Sequence, residues 1–147
     1  MIAFVTIGTN DLKSSAKFYD EILLPFSIVQ VDSEDGYVGY ADINYPENIE
    51  LYIMKPYNKK VASIGNGTMI AFLADTKKQV DQFHAIGLKN GGIDEGSPGS
   101  RHGNDYYAYI RDLDGNKICA YTASKIWIKD LKYLPYGSAG FESGRRG

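Results

Sequence analysis

Apolar and polar positions alternate over the first residues, then change period, and the change recurs later in the chain. Ala3-Phe4-Val5-Thr6-Ile7 has the two-residue alternation and the β-branched, aromatic composition of a strand. Beyond it, Leu12, Ser15-Ala16, Tyr19 and Leu23 share one face of a helix that Asn10 or Asp11 caps and Pro25 stops. Strand periodicity returns at 26–31, 37–43 and 49–54, with turn-rich stretches at 33–36 and 44–47 between them. A linker at 55–66 follows, and Thr68-Met69-Ile70-Ala71-Phe72 opens a second strand. Asp75 or Thr76 then caps a helix running to about Ile86. Residues 89–104 are rich in glycine and poor in apolar side chains, which predicts a short strand embedded in a long loop. Strands at 106–111 and 117–122 form a hairpin around Asp112-Leu113-Asp114-Gly115-Asn116, where Asp-Gly favours the positive φ of a tight turn.

The two halves echo each other. The first strand, its cap and Phe18-Tyr19 return 65 positions later as 68–72, Asp75-Thr76 and Phe83-His84. Asn48-Ile49-Glu50-Leu51-Tyr52 resembles Lys117-Ile118-Cys119-Ala120-Tyr121, 69 positions on. Two tandem βαβββ modules, 1–56 and 66–123, produce such a pattern, so the fold class is α+β and residues 1–123 form one domain. On this register Phe4, Met69, Glu50 and Cys119 are related by pseudo-symmetry. Residues 124–147 form an extension whose apolar residues, Trp127 among them, are expected to pack on the body or on a partner.

Composition narrows the function classes. A net charge of −2 offers no clustered basic footprint for nucleic acid. No apolar run approaches the ~20 residues that span a bilayer. The chain opens directly on a strand, so no signal peptide is expected, and the single cysteine suits a reducing compartment. A cytoplasmic location is the resulting expectation. Twelve tyrosines against six phenylalanines point to half-wet pockets or interfaces, since tyrosine joins an apolar body to a polar tip.

Phe4-Val5-Thr6-Ile7-Gly8 with Asn10-Asp11-Leu12 and Phe18-Tyr19 resembles the opening of the vicinal oxygen chelate superfamily, the glyoxalase, bleomycin-resistance and extradiol-dioxygenase group. Residues 106–118, with Asp112-Leu113-Asp114-Gly115-Asn116-Lys117, are similar to the hairpin that closes that fold. The resemblance covers about residues 1–123. It implies two βαβββ modules curled into a cup, often completed across a homodimer, with a metal held at the open mouth. On this chain the implied ligand positions are Phe4, Glu50, Met69 and Cys119, and only Glu50 keeps that ligand chemistry. One carboxylate cannot supply the oxygen and imidazole donors that Mg²⁺, Mn²⁺, Ni²⁺ or Fe²⁺ require. A thiolate, a thioether and a carboxylate would suit a soft ion such as Cu(I). The depleted set points to a protein without a metal cofactor.

What remains is an apolar cup carrying one carboxylate and a tyrosine pair, the composition of a small-molecule site. Strand alternation places Glu50 with Tyr52 and Cys119 with Tyr121, beside Phe4, Thr6 and Met69. Glu50, if buried, would serve as an acid–base group; otherwise it is a rim residue facing water. Cys119 reads as a small hydrophobe, and His84 as a helix-packing residue. Arg101 and His102, in the glycine-rich segment, would reach over the cup toward an anionic group, or else form a solvated pair. Tyr107, Tyr109 and Arg111 share one face of their strand, and the pattern leaves open which face sees the cup. The expected protein binds a small organic molecule in an aromatic cup as a homodimer, with Glu50 and Asp42 attracting a cationic or hydrogen-bonding group. A metal-independent lyase or isomerase using Glu50, aided by His102, is the alternative. A metal-dependent glyoxalase or dioxygenase ranks third.

Overall fold

In the computed structural model, which describes residues 1–123, the first module runs β1 (Val5–Gly8), α1 (Leu12–Leu23), β2 (Ile28–Glu34), β3 (Tyr37–Asp42) and β4 (Leu51–Met54). The second runs β5 (Ile70–Leu73), α2 (Lys77–Lys89), β6 (Ile93–Ser100), β7 (Tyr106–Arg111) and β8 (Lys117–Thr122). Each module makes a four-stranded sheet of one topology, β1-β4-β3-β2 and β5-β8-β7-β6, in which the first and last strands pair in parallel. These are the two tandem βαβββ modules that the repeat predicts. The extension carrying Trp127 lies outside the described residues.

Local chemistry explains where the elements begin and end. Asp11 caps α1 by accepting from the backbone N–H of Ser14 at 3.0 Å. A 3₁₀ turn at Leu24–Phe26, with proline inside it, ends that helix and delays β2 to Ile28. Thr76 and Gln79 form a reciprocal capping box on α2, and the Gln79 amide also donates to the Pro25 carbonyl at 2.9 Å, tying α2 to the first module.

Two readings from the pattern need correcting. The glycine-rich segment is not mainly loop: β6 is an eight-residue strand, paired with β7 through two register shifts. Its low β propensity is overridden because the Tyr109 ring packs on it; a Cβ at Gly96 would sit 2.8 Å from that ring. The second echo is also slipped. Val5 pairs with Leu51, and its counterpart Ile70 pairs with Ile118, so Leu51 corresponds to Ile118, 67 positions on and not 69. Tyr52 is therefore the counterpart of Cys119, and Glu50 that of Lys117.

The core lies between the sheets and the two helices. Phe18, Tyr19, Ile22 and Leu23 from α1 meet Val80 and Phe83 from α2, above Tyr40, Ile53, Ala108, Ile110 and Ile118 of the strands. Each large apolar side chain buried there contributes roughly 1.5–3 kcal/mol. No helix of the described residues lies on the other face of either sheet.

A polar clasp joins the modules. Asp112 is 3% exposed and opens the β7–β8 turn. Its carboxylate accepts from the backbone N–H groups of Asp114 and Asn116, from the Asn116 amide, and from the Tyr19 hydroxyl of α1 at 2.7 Å. Thr9 donates to Asp114 at 2.6 Å, and the Asn116 amide donates to the Gly8 carbonyl at 3.1 Å. Gly115 holds the turn at φ +90°. The Asp-Leu-Asp-Gly-Asn segment therefore does structural work across the module boundary.

Burial, followed by the charge of Asp112, pushes the Tyr19 hydroxyl well above its ordinary 10.0. An unfolded tyrosine ionises near 10 while the folded one keeps its proton. This contribution to stability is whole below about pH 10 and is lost as the pH rises further. Tyr19→Phe should lower the unfolding free energy by about 1.5–3 kcal/mol in urea at pH 7. It should also flatten the decline of stability above pH 10; an unchanged decline would contradict the assignment.

Candidate functional site

The uncovered sheet faces hold the residues to which the sequence draws attention, and the strand registers set them in rows. On the first module, Thr6 pairs with Tyr52 and Tyr52 with Gly39. Phe4 meets Tyr52 edge-on at 5.4 Å between ring centroids, and Tyr37 does so from the other side at 5.6 Å. The Tyr37 hydroxyl donates to Asp32 at 3.2 Å; partial burial, then this carboxylate, holds it above the ordinary tyrosine range. Phe4 is 55% exposed and Thr6 is exposed as well.

Glu50 ends this face. Its carbonyl accepts from Val5 at 2.9 Å, while its side chain is exposed at the edge of a groove of about 420 Å³ between the modules. Asp42 and Asp75 line the same groove, over a floor that includes Phe26, Ile28 and Phe72. The structure thus brings Glu50 and Asp42 together, but without the burial that an acid–base role was expected to draw on.

The second module answers which face of β7 is open. Ala108 and Ile110 are fully buried beneath α2, so Tyr107, Tyr109 and Arg111 point the other way. Across β8 they pair with Tyr121, Cys119 and Lys117. The Tyr107 ring lies 4.8 Å from that of Tyr121 and stacks on Tyr109 at 5.9 Å, with 5° between the planes. His102 is exposed, adopts φ +52°, and meets the edge of Tyr107 at 6.0 Å. Arg101 lies 5.2 Å from the Tyr109 centroid, and its guanidinium donates to the carbonyls of Ser97, Gly99 and Tyr107. Lys117 lies 5.4 Å from the same centroid. Partial burial keeps all three hydroxyls above the usual range, with Asp105 acting further on Tyr121.

Cys119 is completely buried beside Ala71 and Tyr109. Desolvation pushes its thiol up to about 11, against the smaller opposing pull of the Ala108 backbone, Arg101 and Lys117. Met69 is 40% exposed and lines a different hollow with Arg111 and Lys117. His84, by contrast, is buried in α2 and bonded to Asp94 at 2.8 Å, a packing role. Among the described residues no three His, Cys, Asp or Glu side chains gather to hold a metal, and no ring contact joins the open-face aromatics of the two modules. The donor set does not fit a hard or borderline divalent ion, and a soft ion would need Cys119 as a thiolate.

Sequence reasoning had no means of placing Tyr37, Tyr107 and Tyr109 on the open faces, because tyrosines occur on both sides of β3 and of β7. Lys117 was legible in principle: it lies two positions before Cys119, hence on the same face.

A model of the family described as Glyoxalase/Bleomycin resistance protein/Dioxygenase superfamily matches residues 1–120. Among solved structures, a glyoxalase/bleomycin resistance protein from Albidiferax ferrireducens T118 is 39% identical. It matches over 83% of this chain and 98% of its own, with a TM-score of 0.76. A glyoxalase-related enzyme from Fulvimarina pelagi shares the fold at 20% identity and a TM-score of 0.66, over 84% of this chain and 88% of its own. So does a lactoylglutathione lyase from Agrobacterium tumefaciens, at 20% identity and a TM-score of 0.61, over 86% and 96%. No curated protein matches the chain significantly. No helix among the described residues is long and apolar enough to cross a membrane.

The buried, neutral Cys119 should be inert to a thiol reagent such as DTNB at pH 8 in the folded protein and should react at once in urea. Rapid labelling of the native state would contradict its placement.

Proposed function

The chain belongs to the glyoxalase/bleomycin resistance/dioxygenase superfamily, and from that premise we propose that it binds a small organic molecule on its tyrosine-lined open faces, without a resident metal. The observation that carries this reading is the row formed by Tyr109, Tyr107 and Tyr121, the Tyr107 ring touching both others on a sheet face that no helix of the described residues covers. Flat rings with phenolic tips bind planar organic groups by stacking and hydrogen bonding, and little conformational entropy is lost in doing so. Phe4, Tyr37 and Tyr52 repeat the arrangement on the first module.

A second copy of the chain completes the enclosure. Within one chain the two aromatic faces stay apart, and Phe4, Met69 and Leu73 leave large apolar area open beside them. The faces also differ in charge: Glu50 stands where its counterpart is Lys117. A homodimer that sets the first module of one copy against the second of the other would close a cup between unlike walls.

One observation favours a second reading. Glu50 and Asp42 share the groove between the modules, where a carboxylate pair would serve a metal-independent lyase or isomerase with Glu50 moving the proton; His102, beside Tyr107, does not line that groove. Metal-dependent glyoxalase or dioxygenase chemistry ranks third, because the described residues lack its donors.

A compound panel followed by amide chemical shifts of the full chain tests the first reading. A hit should perturb residues of β7 and β8 saturably, and Tyr107→Ala should weaken it about ten-fold or more, about 1.4 kcal/mol. Turnover of the hit, with a pH–rate profile abolished by Glu50→Gln, would replace the binding reading with the enzymatic one. Light scattering should give twice the chain mass; a monomer at micromolar concentration would remove the dimer from the account.

A further inference from the structure

We propose that the open face of the second module recognises an anionic aromatic ligand, its carboxylate paired with Lys117 and its ring against Tyr109 and the tyrosines beyond it. This rests on the binding reading above and specifies the chemistry of the ligand.

Three observations lead there. The strand registers make Lys117 the counterpart of Glu50, so a cation stands at the mouth of the second module where the first presents a carboxylate. Lys117 and Arg101 both lie against the Tyr109 ring, at 5.4 and 5.2 Å from its centroid. Among the described residues neither has a carboxylate within ion-pairing distance: the two ion pairs are His84 with Asp94, and Arg111 with Glu95. Arg101 spends its donors on three backbone carbonyls, which fix its position without neutralising its charge. A cation–π contact offsets only part of an ammonium's demand for a counter-charge.

The third observation is room for the carboxylate end, in a hollow that none of the three tyrosines lines. Lys117 lines a hollow of about 510 Å³ with Thr68, Met69, Arg111 and the loop of Gly65, Asn66 and Gly67. Arg111 is already engaged, its Nε donating to Glu95 at 2.8 Å and a terminal nitrogen donating to the Gly115 carbonyl at 3.1 Å. Lys117 makes no ion pair among the described residues, although its charge also draws on Glu95, and it is the less engaged cation of this hollow, at the end of the row in which Tyr109 pairs with Cys119 and Tyr107 with Tyr121. A ring bearing one carboxylate spans those neighbouring positions, about two residues apart along a strand.

Benzoate, benzyl alcohol and benzylamine, titrated into the 147-residue protein at low salt and followed by amide shifts, test the proposal. Benzoate should perturb β7 and β8 saturably and bind at least ten-fold tighter than the other two. Lys117→Met should abolish that preference without weakening benzyl alcohol, and Lys117→Arg should retain it. In the unaltered protein, benzoate binding should weaken as salt rises while benzyl alcohol binding does not. A preference for benzylamine, equal affinity for all three, or a benzoate preference indifferent to salt and to Lys117→Met would overturn the anionic assignment and leave the binding face standing. No perturbation of β7 or β8 by any of the three would overturn both.

Discussion

The buried carboxylate of Asp112 is the constraint from which the rest of the arrangement follows. A carboxylate taken out of water must be supplied with donors, and here they come from both modules: the turn's own backbone and Asn116 on one side, Tyr19 on the other. The observed placement of α1 against the β7–β8 turn satisfies all of them. Thr9 with Asp114, and Asn116 with Gly8, then hold the end of β1 beside the same turn. With the modules positioned this way, α1 and α2 pack together over one face of each sheet, and among the described residues no helix covers the opposite faces.

That division separates fold from function. The covered faces are closely packed, and Ala108, Ile110, Ile118 and Ile53 have no freedom to vary in volume without cost. The open faces have no such duty, so their side chains can change with the chemistry required. In this chain they carry phenylalanine, methionine, a buried neutral thiol and lysine at the mouth, with tyrosines beneath. These side chains supply rings and a cation, and among the described residues no cluster of three His, Cys, Asp or Glu donors such as a divalent ion needs.

Much of this was readable before the structure. The alternation of periods located seven of the eight strands and both helices, and the Asp-Gly turn marked the closing hairpin. Three things were not readable, each for a physical reason. β6 owes its extended form to pairing and to the Tyr109 ring, neither of which is local in sequence. A slip of two residues keeps every side chain on its proper face, so the mistaken echo of Glu50 with Cys119 violated no pattern. Tyrosines on both sides of β7 hid the open face, because a two-residue period orders the faces without naming them. Glu50, Tyr52, Cys119, Tyr121 and Arg101, which the structure sets on or beside these faces, stood out in the sequence, and Lys117, next to Cys119 on the second module's face, did not.

On the reading proposed above, organic recognition takes the place of metal ligation at the mouth of this fold. Elemental mass spectrometry on the untagged full-length protein, after incubation with Ni²⁺, Zn²⁺, Mn²⁺, Fe²⁺ and Cu⁺ and removal of unbound ions, tests it most directly. The account predicts no retention near one ion per chain for any of them. Stoichiometric retention of one metal, lost on Glu50→Ala, would contradict it.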